Sequence, residues 1–470
     1  MTLPPQPLSP LDGRYRASVG QLGDHLSEAG LNRARVHVEV EWLIAQTDRG
    51  AFGAEALTAD QKEALRAVVT DFGQPAIDEL AGLEATTRHD VKAVEYWVRA
   101  RLSELGLDPI AELTHFACTS EDINNLSYAV TVKAAVAEVW LPALDAVVEA
   151  LQRWAVDARD VPMLAHTHGQ PATPTTVGKE FAVFVHRLQR LRAQIEGTEY
   201  LGKFSGATGT FSAHVVADPG ADWPEISRAF VEDALGLSWN PLTTQIESHD
   251  WQAELYSRIA HVNRVLHNLA TDIWSYISMG YFTQIPQAGA TGSSTMPHKI
   301  NPIKFENAEA NLELSCALLD SLAATLVTSR QQRDLTDSSA QRNIGVGLGH
   351  SVLALDNIGR GLSEFSVDTA KLAADLDSNW EILGEAIQTV IRAEITAGRS
   401  SIADPYAMLK ELTRGRRITQ ADLIEFVDGL DIGDEAKARL RALTPAGYSG
   451  LASELVDFLG TDSGPVAPTF

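Results

Sequence analysis

The sequence predicts an all-α protein whose centre is an extended bundle of long helices, and three observations predict it. The first is the run from about 249 to 281, where Trp251, Leu255, Ile259, Val262, Leu266, Leu269, Ile273 and Ile277 recur every three or four residues. That spacing lays apolar side chains along one helical face. The second is the repetition of such runs at lengths of roughly 25 residues or more, beyond the globular norm, so that each stripe needs a neighbouring helix or another subunit to cover it. The third is the lack of sustained period-two alternation bounded by turns, which disfavours a doubly wound sheet.

Along the chain, Leu105-Gly106-Leu107-Asp108-Pro109 interrupts the first helical patterns. A long helix is predicted from Ile123 to about Asp157, with Ser120-Glu121-Asp122 supplying an N-cap and an acidic first turn, and Pro142 is expected to kink it. Further helices are predicted over 175–199, over 249–281, and after Asn301-Pro302, where Leu312, Cys316, Leu319, Ala323 and Leu326 share a face. Beyond about Asp368 the helices shorten, with polar joints around 398–405 and 414–419. The expected division is therefore an N-terminal helical domain (1–110), a central long-helix bundle (111–367) and a C-terminal helical domain (368–470), ending in a Pro-rich tail, TDSGPVAPTF, expected to be loosely ordered.

The composition narrows the function. Acidic residues outnumber basic ones by 62 to 38, a formal net charge of −24. Such a surface repels nucleic acid and anionic membranes, so neither is an expected partner, and an anionic substrate would need a local cluster of cations. The two cysteines, Cys118 and Cys316, are far apart, which argues against a disulfide framework and a zinc site. The N-terminal MTLPPQPLSPLDGRY has neither the basic nor the apolar region of a signal peptide, and no apolar run approaches the roughly 18 residues of a membrane span. A cytoplasmic protein is expected.

Five polar, Gly- or Pro-punctuated segments interrupt the helices, and chemistry is sought there. They are Asp12-Gly13-Arg14-Tyr15, Thr86 to Lys92, His115 to Asp122, Thr167 to Pro174, and Gly292 to Pro302. Taken singly, most have plain explanations: an exposed Arg-Tyr turn, capping histidines at 89 and 168, and Ser120 as an N-cap. The fifth segment, GSSTMPHKINP, combines serine hydroxyls, backbone donors and a fixed cation, a set that an ordinary loop does not require. Glu306, on the first turns of the helix that follows, is positioned to face inward and orient a histidine from another helix.

Those eleven residues resemble the signature loop of the fumarase/aspartase superfamily, whose members eliminate fumarate from succinyl-type substrates. Within it, HDVKAVEY from His89, HFACTSEDINNLSYA from His115, THGQPATPTTVGKE from Thr167 and RQQRDLTDSSAQRN from Arg330 resemble the adenylosuccinate lyase family. SPLDGRY and NPLTTQIESHD resemble its longer bacterial type. The resemblance runs essentially end to end. It implies an all-α homotetramer with active sites assembled from three subunits, acting on adenylosuccinate and SAICAR in purine nucleotide synthesis, without metal or organic cofactor.

Matched residue by residue, the resemblance implies that His168 is the general acid, Ser293 the general base, and Glu306 the acidic partner that orients the histidine. It implies that Lys299 and Asn301 hold a substrate carboxylate and its developing charge, and that Thr119, Ser120, Ser294 and Gln245 make further substrate contacts. Arg14, Tyr15, Arg333, Ser338 and Arg342 match residues around the nucleotide phosphate. Arg88, His89 and Asp90 match a segment lining the nucleotide and the reacting centre, with His89 a second catalytic histidine. Relatives often carry Asn where Arg88 stands, which is a departure here.

The implied chemistry suits these groups. A carbanion next to a carboxylate needs fixed donors and a cation such as Lys299, and expulsion of the purine amine needs a proton from a group such as His168. Ser293 requires activation by the N–H groups of its loop and by Lys299. The competing readings are a sister lyase acting on argininosuccinate, malate or aspartate, a non-catalytic structural protein of the same fold, and a nucleic-acid binder. Retention of His168, Ser293, Lys299 and Glu306 disfavours the second, and the net charge the third.

Overall fold

The computed structural model describes residues 6–286, 296, 298–413 and 418–460. Ser293 and Ser294, most of the expected 287–302 loop, most of the 414–419 joint and the 461–470 tail therefore lie outside the described residues. The protein is helical, as the periodicity predicts. The principal helices are Glu28–Asp48, Ala59–Thr70, Gln74–Thr87, Asp90–Glu104, Ser120–Ala135, Leu141–Asp157, Val177–Glu196, Asp250–Ser278, Ile303–Leu326 and Ile344–Leu362. Shorter ones follow from Thr369 onward. Strand is confined, among the described residues, to four two-stranded ladders of two or three residues per strand. Among those residues, no helix is long and apolar enough to cross a membrane.

The chain divides into two compact units, each assembled from separate segments. The first comprises Met1–Asp145, Leu191–His267 and Asn307–Asp356. Its N-terminal part is cemented by Val36, Val40, Leu43, Val94, Trp97 and Leu102 from the helices that precede residue 105. The helix expected from Ile123 to Asp157 is interrupted by a π-helical turn at Val136–Trp140, immediately before Leu141-Pro142. Proline has no N–H to give to the carbonyl four residues back, so the ladder must be rearranged there.

A buried polar chain runs through the long helices of this unit. Trp140 Nε1 donates to Ser351 Oγ (2.9 Å), Ser351 Oγ to Asn263 Oδ1 (2.7 Å), Asn263 Nδ2 to Ser315 Oγ (2.9 Å), and Ser315 Oγ to the Gly347 carbonyl (2.7 Å). Asn263, Ser315 and Ser351 are wholly buried. Each donor has an acceptor, so burial carries no unmet hydrogen bond, and a slide of one helix against another would break several bonds together.

The second unit comprises Ala146–Arg190, Asn268–Glu306 and Asn357–Phe470. Leu376, Trp380, Leu383, Ile387, Ile391, Leu423, Val427 and Leu440 form the core of its C-terminal helices. Phe365 stacks on both Trp154 and Phe282, with ring centroids 4.7 Å apart in each case. Gly178 is fixed by close approach: a Cβ there would lie 2.4 Å from the Ala155 carbonyl oxygen. The helix can begin beside that carbonyl only with glycine at this position.

Replacing Asn263 with Ala should leave the Ser351 hydroxyl and the Ser315 oxygen without their partner and open a small cavity. The expected loss is about 2–4 kcal/mol, read as a lower urea midpoint of unfolding. An unchanged midpoint would show that the polar chain contributes nothing to stability.

Candidate active site

Two helix starts in the first unit organise most of the residues singled out above. Arg88 ends the Gln74–Thr87 helix in the left-handed conformation (φ 52°), which lets the chain turn at once into the Asp90–Glu104 helix. His89 is the N-cap of that helix, and its Nδ1 accepts from the Lys92 N–H (3.3 Å). The ring is thus engaged as a cap, the plain reading of this histidine, while half of its side chain remains exposed.

Asp90 points back from the same turn. Its Oδ1 accepts from the Val91 N–H (2.9 Å), and its Oδ2 receives both Arg35 Nη2 (2.8 Å) and Arg342 Nη2 (3.2 Å). Burial alone would raise this carboxyl, but Arg35, the Val91 N–H and Arg342 together hold it below the usual aspartate value. Arg342 also donates to the Ser338 carbonyl (2.8 Å) and hydroxyl (3.2 Å) and to Glu28 (3.3 Å), which brings Arg342, Ser338 and Asp90 together.

The second start is that of the Ser120–Ala135 helix, with Thr119 as N-cap and Ser120 as the first helical residue. Asp122 reaches back to accept from the Thr119 N–H (2.8 Å). Asp122 is wholly buried, and so is Lys203, whose Nζ meets it at 2.7 Å. The N–H groups of Ser205 and Gly206 complete the carboxylate's shell. Lys203 in turn donates to the Gly206 carbonyl (2.6 Å), and the next carbonyl, Ala207, accepts from Gln245 Nε2 (3.0 Å). One buried ion pair thereby fixes both the helix start that presents Thr119 and Ser120 and the loop that holds Gln245. The positive dipole end of that helix suits a carboxylate ligand.

Arg333 joins the same region. It meets Glu121 Oε1 at 2.9 Å and donates to Gln245 Oε1 at 3.4 Å. Burial raises the Glu121 carboxyl above its ordinary value, although the Asn124 amide and Arg333 partly oppose the rise. Near the N-terminus, Arg14 lies over the Tyr15 ring and Asn307 donates to the Tyr15 hydroxyl (3.3 Å). Just before Thr119, His115 and Ala117 are both left-handed (φ 57° and 56°). His115 is held there through Glu39, which accepts from its Nδ1 (2.6 Å) and its backbone N–H (2.9 Å). Burial disfavours the imidazolium, but the bond to Glu39 and the charges of Glu39, Glu95 and Asp122 outweigh it and raise the His115 pKa.

In the second unit, His168 and Gly169 form the two-residue turn of the His166–Thr167/Gln170–Pro171 hairpin, both at positive φ (53° and 71°). A turn with two left-handed residues matches the twist of the paired strands and pushes the His168 ring out to solvent. Glu306 lies on the first turn of the Ile303–Leu326 helix and accepts from Trp274 Nε1 (3.1 Å). The Lys299 N–H donates to the Met296 carbonyl (3.0 Å), and Asn301 comes just before the helix. Among the described residues, no hydrogen bond joins Glu306 to His168. Among the described residues, no group of three or more His, Cys, Asp or Glu side chains is placed to hold a metal ion.

Sequence reasoning overlooked the buried partners: Arg35, Asn124, Lys203 and Glu39. A signal existed for two of them, because Arg35 and Glu39 stand one helical turn apart among Val36, Val38, Val40, Trp42, Leu43 and Ile44, where unpaired charges would be costly. Lys203 lies in a loop and has no such signature.

The helical frame is shared with solved structures of low sequence identity. A fumarate lyase from Mesorhizobium sp. BNC1 superimposes with a TM-score of 0.73 at 20% identity, covering 94% of this chain and 97% of the other. A 3-carboxy-cis,cis-muconate lactonizing enzyme from Pseudomonas putida gives 0.72 at 19%, covering 95% and 97%. These fix the fold class. The Lyase family model matches residues 13–315, and the Adenylosuccinate lyase C-terminal model matches 329–449. The chain is 47% identical to the adenylosuccinate lyase of Escherichia coli (strain K12) over 96% of its length and 98% of that protein, and 45% identical to that of Vibrio cholerae with the same coverage. The chain belongs to the adenylosuccinate lyase family.

The His115–Glu39 contact makes a pH prediction. A histidine whose pKa is raised by folding above its ordinary 6.5 contributes stability that is fully present below that value and lost as pH rises through the raised one. The stability gap between the wild type and Glu39→Gln should therefore be widest in mild acid and narrow as the medium becomes alkaline. Chemical denaturation across that range would reveal it, and a gap independent of pH would contradict the assignment.

Proposed function

We propose that the chain catalyses β-elimination of fumarate from adenylosuccinate, giving AMP, and from SAICAR, giving AICAR. The observation that carries this reading is the near full-length identity of almost one half to relatives named for that activity. In this reading Ser293 removes a proton from the carbon next to a carboxylate of the succinyl group. Negative charge then spreads into that carboxylate, where Lys299, Asn301, Ser294, Thr119 and Ser120 stabilise it; fixed donors lower the barrier because they need no reorganisation when charge appears. His168 delivers a proton to the departing nitrogen, so that the purine leaves as a neutral amine, and Glu306 orients the imidazole.

Arg14, Tyr15, Arg333, Ser338 and Arg342 hold the phosphate, Gln245 contacts the substrate, and Arg88, His89 and Asp90 line the nucleotide, with His89 close to the reacting centre. The reading includes a cytoplasmic homotetramer whose sites draw on three subunits, which supplies a histidine to Glu306 from a neighbouring chain. It also retains the three-domain division at 110 and 367. The electrostatics support it: the Arg342 and Arg333 guanidinium groups, beside the Asp90 and Ser120 helix starts, offer cations to an anion on a chain of net charge −24.

Absorbance-monitored turnover of the purified protein should yield fumarate and AMP in equal amounts. His168→Ala and Ser293→Ala should each reduce kcat by roughly 10²- to 10⁴-fold with an unchanged melting curve. Failure of the wild type to turn over adenylosuccinate, with success on argininosuccinate, malate or aspartate, would transfer the chain to a sister activity.

A further inference from the structure

Two of the three arginines assigned to the phosphate, Arg333 and Arg342, are linked through a fourth that is buried. Arg35, on the Glu28–Asp48 helix, is 1% exposed. Its Nη2 donates to Asp90 Oδ2 (2.8 Å), its Nε to Asn124 Oδ1 (2.9 Å) and its Nη1 to Asn32 Oδ1 (2.8 Å). One branch continues from Asp90, whose same oxygen receives Arg342 at 3.2 Å. The other continues from Asn124, whose Nδ2 donates to Glu121 Oε1 (2.8 Å), the oxygen that also receives Arg333 at 2.9 Å. A single buried guanidinium therefore reaches Arg342 through Asp90 alone and Arg333 through Asn124 and Glu121.

Charge makes the position matter. Asp90 and Arg342 alone would be a neutral pair, with the arginine's charge consumed by its neighbour. Because Arg35 shares that carboxylate, the three together carry one net positive charge, and Arg342 retains attraction for an anion. Glu28 lies 3.3 Å from Arg342 and 4.0 Å from Arg35, but at 52% exposure solvent screens its competition for both arginines. Arg35 also donates through three nitrogens at once, a geometry that the single ammonium of lysine cannot reproduce.

We propose that Arg35 is a positioning residue for phosphate recognition, holding Asp90 and Asn124 so that Arg342 and Arg333 keep their placement and Arg342 keeps its net positive charge. The inference deepens the proposed function and rests on it. Arg35 touches no substrate; it acts through the residues that do.

Product inhibition separates this role from a merely structural one, because AMP carries the phosphate and fumarate does not. Arg35→Gln should weaken inhibition by AMP by roughly tenfold, the scale of one lost charged hydrogen bond, while inhibition by fumarate stays within about twofold. Arg35→Lys, which restores charge without the fork, should recover part of the AMP affinity. If AMP inhibition is unchanged in a folded Arg35→Gln enzyme, or both inhibitors weaken equally, the inference is overturned. Should Arg35→Gln not fold, Asn124→Ala breaks the second branch alone; AMP weakened about threefold with fumarate unaffected would support the role, and unaltered AMP would overturn it. A wild type inactive on adenylosuccinate would instead sink the functional reading itself.

Discussion

A charge buried in a helical protein must be paired, and in the first unit that requirement shapes the whole region around the candidate site. Asp122 and Lys203 are both fully buried and meet at 2.7 Å. Three backbone N–H groups and a carbonyl complete their shells, so the pair cannot form unless the Ser120 helix start and the 203–207 loop take up the observed conformation. Arg35 imposes a similar condition on the Asp90 helix start. These contacts carry little information about net stability, since a well-packed apolar replacement can be as stable. They specify arrangement, and the arrangement is of two helix N-termini with the arginines beside them.

Some of the backbone strain lies in the polar segments of the candidate site. Arg88, His115, Ala117 and His168 are non-glycine residues with positive φ, and each falls within a polar segment flanking a proposed substrate contact. Such conformations cost of order 1–3 kcal/mol each and persist only where the surroundings enforce them. For His115 the enforcement is visible in the double contact with Glu39, and for His168 in the two-residue hairpin turn.

The periodic part of the fold was legible because long amphipathic helices write their spacing directly into the sequence. The helix predicted over 249–281 is found as Asp250–Ser278, and that over 175–199 as Val177–Glu196. The π-helical turn before Pro142 follows from proline's missing donor, although its form could not be read in advance. The Asn263–Ser351–Ser315 chain was hidden because each residue alone resembles an ordinary polar interruption of a stripe. The polar segments likewise marked the candidate site, but their partners come from far along the chain. Arg35 meets Asp90 and Asn124, and Arg333 meets Glu121, more than 200 positions distant. No local pattern encodes such pairings.

The proposed function requires that a succinyl nucleotide bind with its phosphate on Arg342 and Arg333 and a succinyl carboxylate at the Ser120 helix start. A crystal structure of the His168→Ala protein with adenylosuccinate tests it most directly. Phosphate oxygens are expected within hydrogen-bond reach of Arg342 and Arg333, and a succinyl carboxylate on the Thr119 and Ser120 hydroxyls. Phosphate bound away from both arginines, or a succinyl group remote from that helix start, would contradict it.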